Sequence, residues 1–384
     1  MERPTYDHSF TMTSDEIWGM EETHEFLPDF EGHYKGLLNM IDVLYYRNGN
    51  SYYPSVKSRH TAFFLAMAMP SYAYIDPHRT LEMKYNIHAA AIAIENDALT
   101  DVLNPYNSDR IRVLETFATL AMYKLVSEKK LNDKHFHELA ENVYERIIEN
   151  GQSAQCTYAY DTIEGTYQVY PNALALLAFE IHDRFFESDY SAKIQSKVLT
   201  FIQENLTDAD TGLFCNYYKT GALGYKGEHL SRLAAWTSCT PDISTNALGV
   251  TFMNHFNSQQ AERAWKAHKE LFTDKLLTIT DEQLADTQQS SYLSQVNPTA
   301  EGLYTTLLAA KEMDDKIYFE QIQKHLMEIS MPDQREGKVF FDGAGDEQAL
   351  HGDFLAFARL HVGWDKLLNH PWEKFYKFDY NKVR

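Results

Sequence analysis

Cysteine is scarce in this chain. Three residues, Cys156, Cys215 and Cys239, occur in 384, an odd number with no C-x-x-C spacing, which indicates neither a disulfide framework nor a zinc site and fits a reducing compartment. Basic charge is also short: 35 Lys and Arg stand against 55 Asp and Glu, for a net charge of -20. Without clustered cations the chain cannot neutralise phosphates, so neither nucleic acid nor an anionic membrane surface is expected as a partner. Long hydrophobic runs are missing too. "TAFFLAMAMPSYAYI" is too short to cross a bilayer and holds Pro70, and "MERPTYDHSFTMTSDEIWG" lacks the basic start and apolar stretch of a signal peptide. The expectation is a soluble, cytoplasmic protein.

Familiar site signatures are absent as well. There is no H-E-x-x-H, G-x-S-x-G, phosphate loop or nucleotide fingerprint, so no metal and no organic cofactor is expected. In "KHFHELAE", His135 and His137 are two apart and do not share a helix face. "DADTG" begins like a calcium loop but lacks the glycine and glutamate that such a loop needs, which leaves an Asp-Gly turn. "EMDDKIYFE" lacks the third acid of a diphosphate-binding motif.

What the chain does contain is helical periodicity, with no sustained alternation for a strand. The pattern predicts helices over 33–46, 57–74, 78–98, 107–128, 132–150, 167–185, 189–206, 242–256, 259–273, 298–312, 315–329 and 346–368. Short connections such as "IDPHRT", "FFESDYS" and "MDDKI" make sequential helices antiparallel neighbours. Within a pair the members differ: "YPNALALLAFEIHDRF" is apolar throughout, while the following "SAKIQSKVLTFIQENL" is amphipathic. An inner and an outer ring explain that contrast. The fold class read from this is all-α, an (α/α)6 barrel or toroid of about six helical hairpins, with residues 1–30 as an N-terminal arm and 31–384 as one domain. The stretch 208–227 is the loosest, placed as a loop over one mouth.

Candidate chemistry sits where acids and amides interrupt apolar runs. In "NMIDVLYYRNGNSYYP", Asp42 stands at the edge of a helical stripe and is followed by Tyr45 and Tyr46. In "DRIRVLETFATLAMYKL", Glu115 shares a face with Ile111, Ala118 and Met122; a desolvated carboxyl there would have a raised pKa and serve as a general acid. The alternative is a pairing with Arg112 or Lys124. "CTYAYDTIEGTYQVYPN" gathers Tyr158, Tyr160, Tyr167 and Tyr170 around Asp161 and Glu164, and enters a helix at Pro171 and Asn172; its rings can bind substrate or simply pack as a loop. "SCTPDISTNALG" places Asp242, Ser244 and Asn246 at a helix start, where N-capping accounts for at least one of them. "FFDGAGDEQALHGDF" adds Glu347 beside a glycine turn.

In order and spacing, "NMIDV" at 39–43, "AMPSYAYIDP" at 68–77, "YKLVSEKK" at 123–130, "TYQVYPNALALLAFEIHDRF" at 166–185, "FIQENLTDADTGLF" at 201–214, "LLAAKEMDDKIYFEQIQKHL" at 307–326 and "LAFARLHVGWDKLLNHPW" at 355–372 resemble the linalool dehydratase/isomerase family. The resemblance implies an (α/α)6 barrel that works on a monoterpene alcohol by acid/base chemistry in an apolar channel, without metal or organic cofactor. It also implies a homo-oligomer, because the family's catalytic aspartate, which falls on Asp42, lies near a subunit boundary. Other family positions depart: a histidine falls on Glu115, one cysteine on or near Thr162, the other on Pro171, and a tyrosine on Asn246, while the tyrosine after the aspartate falls near Asn48.

These readings point to a lyase, isomerase or cyclase acting on a small apolar, terpenoid-like substrate. Asp42, Glu115 and Asp161 are the catalytic candidates. Tyr45, Tyr46, Thr162, Tyr167, Asn172, Asn246 and Glu347 are the substrate-binding ones. Three alternatives remain: a pericyclase that folds its substrate without proton transfer, a carbohydrate-active barrel, and a non-enzymatic carrier of an apolar ligand.

Overall fold

The computed structural model describes residues 56–75, 80–95, 108–127, 133–150, 166–215, 217–219, 236–238, 242–281, 300–329, 333–335, 338–340 and 352–372. The helices are α1 (Val56–Ile75), α2 (Thr80–Glu95), α3 (Ser108–Leu125), α4 (Asp133–Asn150), α5 (Val169–Phe186), α6 (Tyr190–Asn205), α7 (Ile243–Met253), α8 (Ser258–Leu276), α9 (Ala300–Glu312), α10 (Lys316–Ile329), α11 (Gly352–Leu360) and α12 (Trp364–Asn369). The expected helix at 33–46 and the arm at 1–30 lie outside the described residues.

The odd-numbered helices close a ring. α1 packs on α3, α3 on α5, α5 on α7, α7 on α9, α9 on α11, and α11 returns to α1, while α2, α4, α6, α8 and α10 each pack on their hairpin partner and the short α12 reaches α1. This is the (α/α)6 barrel expected from the pattern. Composition explains which helix goes where. In α1, every residue from Ala62 to Met69 is essentially buried, as a helix surrounded on all sides must be. On the outer α4, by contrast, the fully buried residues are Phe136, Ala140, Val143 and Ile147, a single stripe at helical spacing flanked by the partly buried Leu139 and Tyr144.

Since each hairpin returns through an outer helix, the six inner helices run in one direction. Turns at their C-terminal ends are short: 76–79, 126–132, 187–189, 254–257, 313–315 and 361–363. The connections that lead into inner helices are long, as at 96–107, 206–242 and 330–351. One end of the barrel therefore has the short connections and the other the long ones.

Two expectations about elements need correction. The helix predicted over 346–368 is two, because Gly363 takes a φ of 97° and starts α12 after a break at His361–Gly363; glycine tolerates that left-handed backbone where other residues are strained. Short strands also exist, each too brief to show alternation in sequence. β1 (Thr166–Tyr167), β2 (Tyr217–Lys219) and β3 (Trp236–Ser238) form an antiparallel sheet with β2 in the centre, and β4 (Asp333–Arg335) pairs with β5 (Lys338–Phe340).

The first part of the supposedly loose stretch at 208–227 is tightly bonded. Asp208 accepts the backbone N–H of Asp210 on its side chain, and Gly212, at φ 83°, donates to the Asp208 carbonyl; this is the Asp-Gly turn read from "DADTG". Phe214 then packs on α7, with its ring only 2.6 Å from where a side chain on Gly249 would begin. The cysteine reading is also corrected. Cys215 is disulfide-bonded, to a partner outside the described residues, so an odd count without close spacing still permits one bond and the compartment argument drawn from it falls.

Candidate active site

The C-terminal end of the inner ring is closed by a buried polar knot. Glu312, the last residue of α9, accepts from Asn254 at 2.9 Å on one oxygen, and its other oxygen lies 2.6 Å from His361 Nε2 and 3.2 Å from the Trp364 backbone N–H. Trp364 is fully buried and donates its indole N–H to the Thr251 carbonyl at 3.1 Å. Its side chain thus bridges the C-terminal ends of α7 and α11, with rings of Phe252 and Phe357 beside it.

Which residues face the lumen follows from what points outward. On α3, Arg112 bonds the Glu95 carbonyl of α2, and Phe117 stacks with Phe136 of α4 and Phe179 of α5. At 3.6 residues per turn, the arc facing away from both outer helices holds Ile111, Glu115, Ala118 and Met122. Glu115 is therefore a buried carboxyl on the lumen face, with 7% of its surface exposed. The pairing with Lys124 considered for it does not hold: Lys124 lies about 13 Å further along the axis and is ion-paired with Asp133, and burial lowers its pKa to about 8.

On α5, Phe179, His182 and Phe186 face outward, against Tyr144, His137 and Phe136. Asn172 stands seven residues before Phe179, on the same outward arc, and donates to the Gln168 carbonyl at 2.6 Å. Tyr170 falls on the opposite arc. Its ring lies 6.1 Å from that of Phe64, interplanar angle 27°, and 5.1 Å from that of Phe252. Since α1 and α5 are separated by α3 in the ring, the Phe64 contact spans the lumen. Tyr167, by contrast, is buried with its ring edge-on to Phe201 of the outer α6, so of the two neighbouring tyrosines it is Tyr170 that looks inward.

Asn246 is likewise a wall residue. Its carbonyl oxygen accepts the Phe214 N–H at 2.9 Å, and its amide nitrogen lies 3.4 Å from the Ala264 carbonyl and 3.1 Å from His268 Nδ1. His268 is fully buried, its pKa pushed down to about 3 by desolvation, and it reaches Thr306 of α9 at 3.1 Å. This chain of bonds ties α7, α8 and α9 together between the two rings. On α7 the inward arc instead carries Ser244, half-buried at the mouth, and Leu248. Asp242 caps this helix by accepting the Thr245 N–H at 2.7 Å, as read from sequence, and its pKa is raised because burial outweighs that bond.

One inward acid escaped the sequence reading. On α9, Thr306 faces α8 and Lys311 lies over Phe319 of α10, so the inward arc holds Glu301, Thr305 and Glu312. Glu301 is half-buried about three turns above Glu312, on the helix directly opposite α3. An acid in a first helical turn is ordinary, which is why "TAEGLYTT" gave no signal. Asp42, Tyr45, Tyr46, Asp161, Thr162 and Glu347 lie outside the described residues. Their positions in the chain are in or before the segments that lead into inner helices.

Glu115, Tyr170, Ser244 and Glu301 therefore lie on the inward arcs of four inner helices, the last three in the first turn of theirs. The sequence model of the linalool dehydratase/isomerase family matches residues 165–346. Over these residues the chain is linalool dehydratase/isomerase-like. The match takes in β1 through β5 and the resemblance read at 166–185, 201–214 and 307–326, and it begins after Asp42, Glu115 and Asp161. Among solved structures, two inactive variants of an alpha-1,6-mannanase of a Salegentibacter species align with the chain. They are bound to alpha-1,6-mannotetrose and alpha-1,6-mannotriose, and both are 12% identical and cover 85% of this chain and 99% of theirs, with TM-scores of 0.48 and 0.47.

Proposed function

We propose that this protein is a lyase, isomerase or cyclase of the linalool dehydratase/isomerase type, acting on an apolar, terpenoid-like alcohol held at the N-terminal end of the lumen. The observation that carries this reading is the Glu115 carboxyl, buried on the inward arc of α3 among Ile111, Ala118 and Met122. In that setting Glu115 donates its proton to the substrate hydroxyl, the C–O bond breaks, and water leaves. Asp42, the position on which the family's catalytic aspartate falls, takes a proton from the adjacent carbon, so that alcohol becomes alkene plus water. Run in the other sense, the same two groups hydrate or rearrange the alkene. The ring face of Tyr170 stabilises positive charge developing on carbon.

The test is turnover of terpenoid alcohols by the parent chain, Glu115→Gln and Asp42→Asn, with alkene products followed by gas chromatography. Both variants lose activity if the carboxyls move protons. Parental rates in both variants sink the acid/base mechanism and leave substrate folding alone as the source of catalysis.

A further inference from the structure

The outer wall of the barrel carries a recess of about 500 Å³ between α8 and the α9–α10 turn. Its floor is Trp265, only 4% exposed, whose indole N–H donates to Asp315 at 3.0 Å. Lys269 donates to the same carboxyl at 2.6 Å and the Tyr318 backbone N–H at 3.2 Å. Three donors from two helices thus hold the floor in place. At the lip stands Ile317, 82% exposed. A single exposed isoleucine is ordinary, and α10 does not need this one, because Tyr318, Phe319, Ile322 and Leu326 already anchor the helix to the core. What sets Ile317 apart is its place beside a recess with a rigid aromatic floor.

Charge decides what can cover this face. The chain as a whole carries -20, so two copies repel each other in most orientations. The rim of the recess is different: Glu262, Asp314 and Asp315 are matched by Lys266, Lys269 and Lys316. Equal numbers of both signs around an apolar centre make a surface complementary to itself, which is what a two-fold contact requires. We infer that this recess is a self-docking face, on which the Ile317 of each copy of the chain seats over the Trp265 floor of the other. Acids and bases of the two rims then face one another where repulsion between the copies is least. Because the floor is already fixed, docking orders few side chains. The contact is small, so the dimer belongs to the weak, concentration-dependent class. It is independent of the acid/base chemistry proposed above.

The experiment is sedimentation velocity on the full-length chain at concentrations from about 1 μM to about 1 mM, the range in which weak contacts form, with circular dichroism confirming the fold of each variant. The parent shifts from monomer toward dimer as concentration rises. Ile317→Asp removes the apolar contact and adds like charge, and should raise the dissociation constant by about tenfold or more. Tyr85→Asp makes the same change on α2, at a side chain 58% exposed, and should associate as the parent does. A parent that stays monomeric throughout overturns the assignment. So does an oligomer that persists unchanged in folded Ile317→Asp, since the contact then lies elsewhere. An equal loss of association in Tyr85→Asp also overturns it, since added negative charge alone then explains both variants.

Discussion

The two ends of the helical ring follow opposite rules. At the C-terminal end the turns are short, and the buried polar groups meet one another: Glu312 with His361, Asn254 and the Trp364 N–H. At the N-terminal end the connections are long, and inward polar side chains such as Ser244 and Glu301 are half-buried with no plug above them in the described residues. Hydrogen bonds made to a charged group in a closed site stabilise the fold. Polar groups held in an apolar chamber are suited to meet a ligand. The comparison predicts that the two ends respond to the same kind of substitution in different currencies, stability at one and chemistry at the other.

The largest effect is expected at the closed end. Glu312→Ala leaves the buried His361 and the Trp364 backbone N–H without their shared acceptor, and should lower the unfolding free energy by about 3 kcal/mol or more. Denaturant titration measures it, and a loss below about 1 kcal/mol would break the comparison. Glu115→Gln should do the reverse. Turnover falls by roughly two to four orders of magnitude, while the midpoint of unfolding stays near that of the parent, because the amide keeps the shape.

Smaller effects sharpen the picture of the walls. Gly249→Ala places a methyl group against the Phe214 ring, 2.6 Å away, in a segment fixed to α7 and α8 through Asn246. Overpacking of this kind costs about 1–3 kcal/mol, and a thermal melt detects it. The smallest effect is a pH dependence at the closed end. His255 bridges Glu180 at 2.7 Å and Asp365. Burial pulls its pKa down, but the hydrogen bonds and charges of the two carboxylates outweigh that and leave it raised. The stabilisation is fully present below about pH 6.5, the unfolded value, and fades as pH rises through the folded value. His255→Gln should flatten that part of the stability profile, and the difference between parent and variant should be about 1 kcal/mol or less.

The architecture was legible in the sequence to within a few residues at most helix ends, and the failures have local causes. Helix boundaries blurred where a glycine at positive φ broke a run, as at Gly363. The strands of two or three residues were invisible because alternation needs more positions to show itself. The disulfide at Cys215 was missed because pairing depends on approach in space, which spacing along the chain does not encode. Glu115 stood out because a charged residue inside an apolar face is conspicuous, and the structure shows it buried. Glu301 was missed because an acid in a first helical turn is what the helix dipole ordinarily favours.

By itself, the sequence determined the alternation of inner and outer helices. A helix enclosed on every side must be apolar all round, and one that faces solvent must be striped, so burial is written directly into composition. The direction in which each inner residue points was decided only by the tertiary structure. A helix without a polar stripe carries no mark of its rotation about its own axis. Its phase is set by the neighbours it packs against, and that is why Tyr170 rather than Tyr167, and Ser244 rather than Asn246, came to face the lumen.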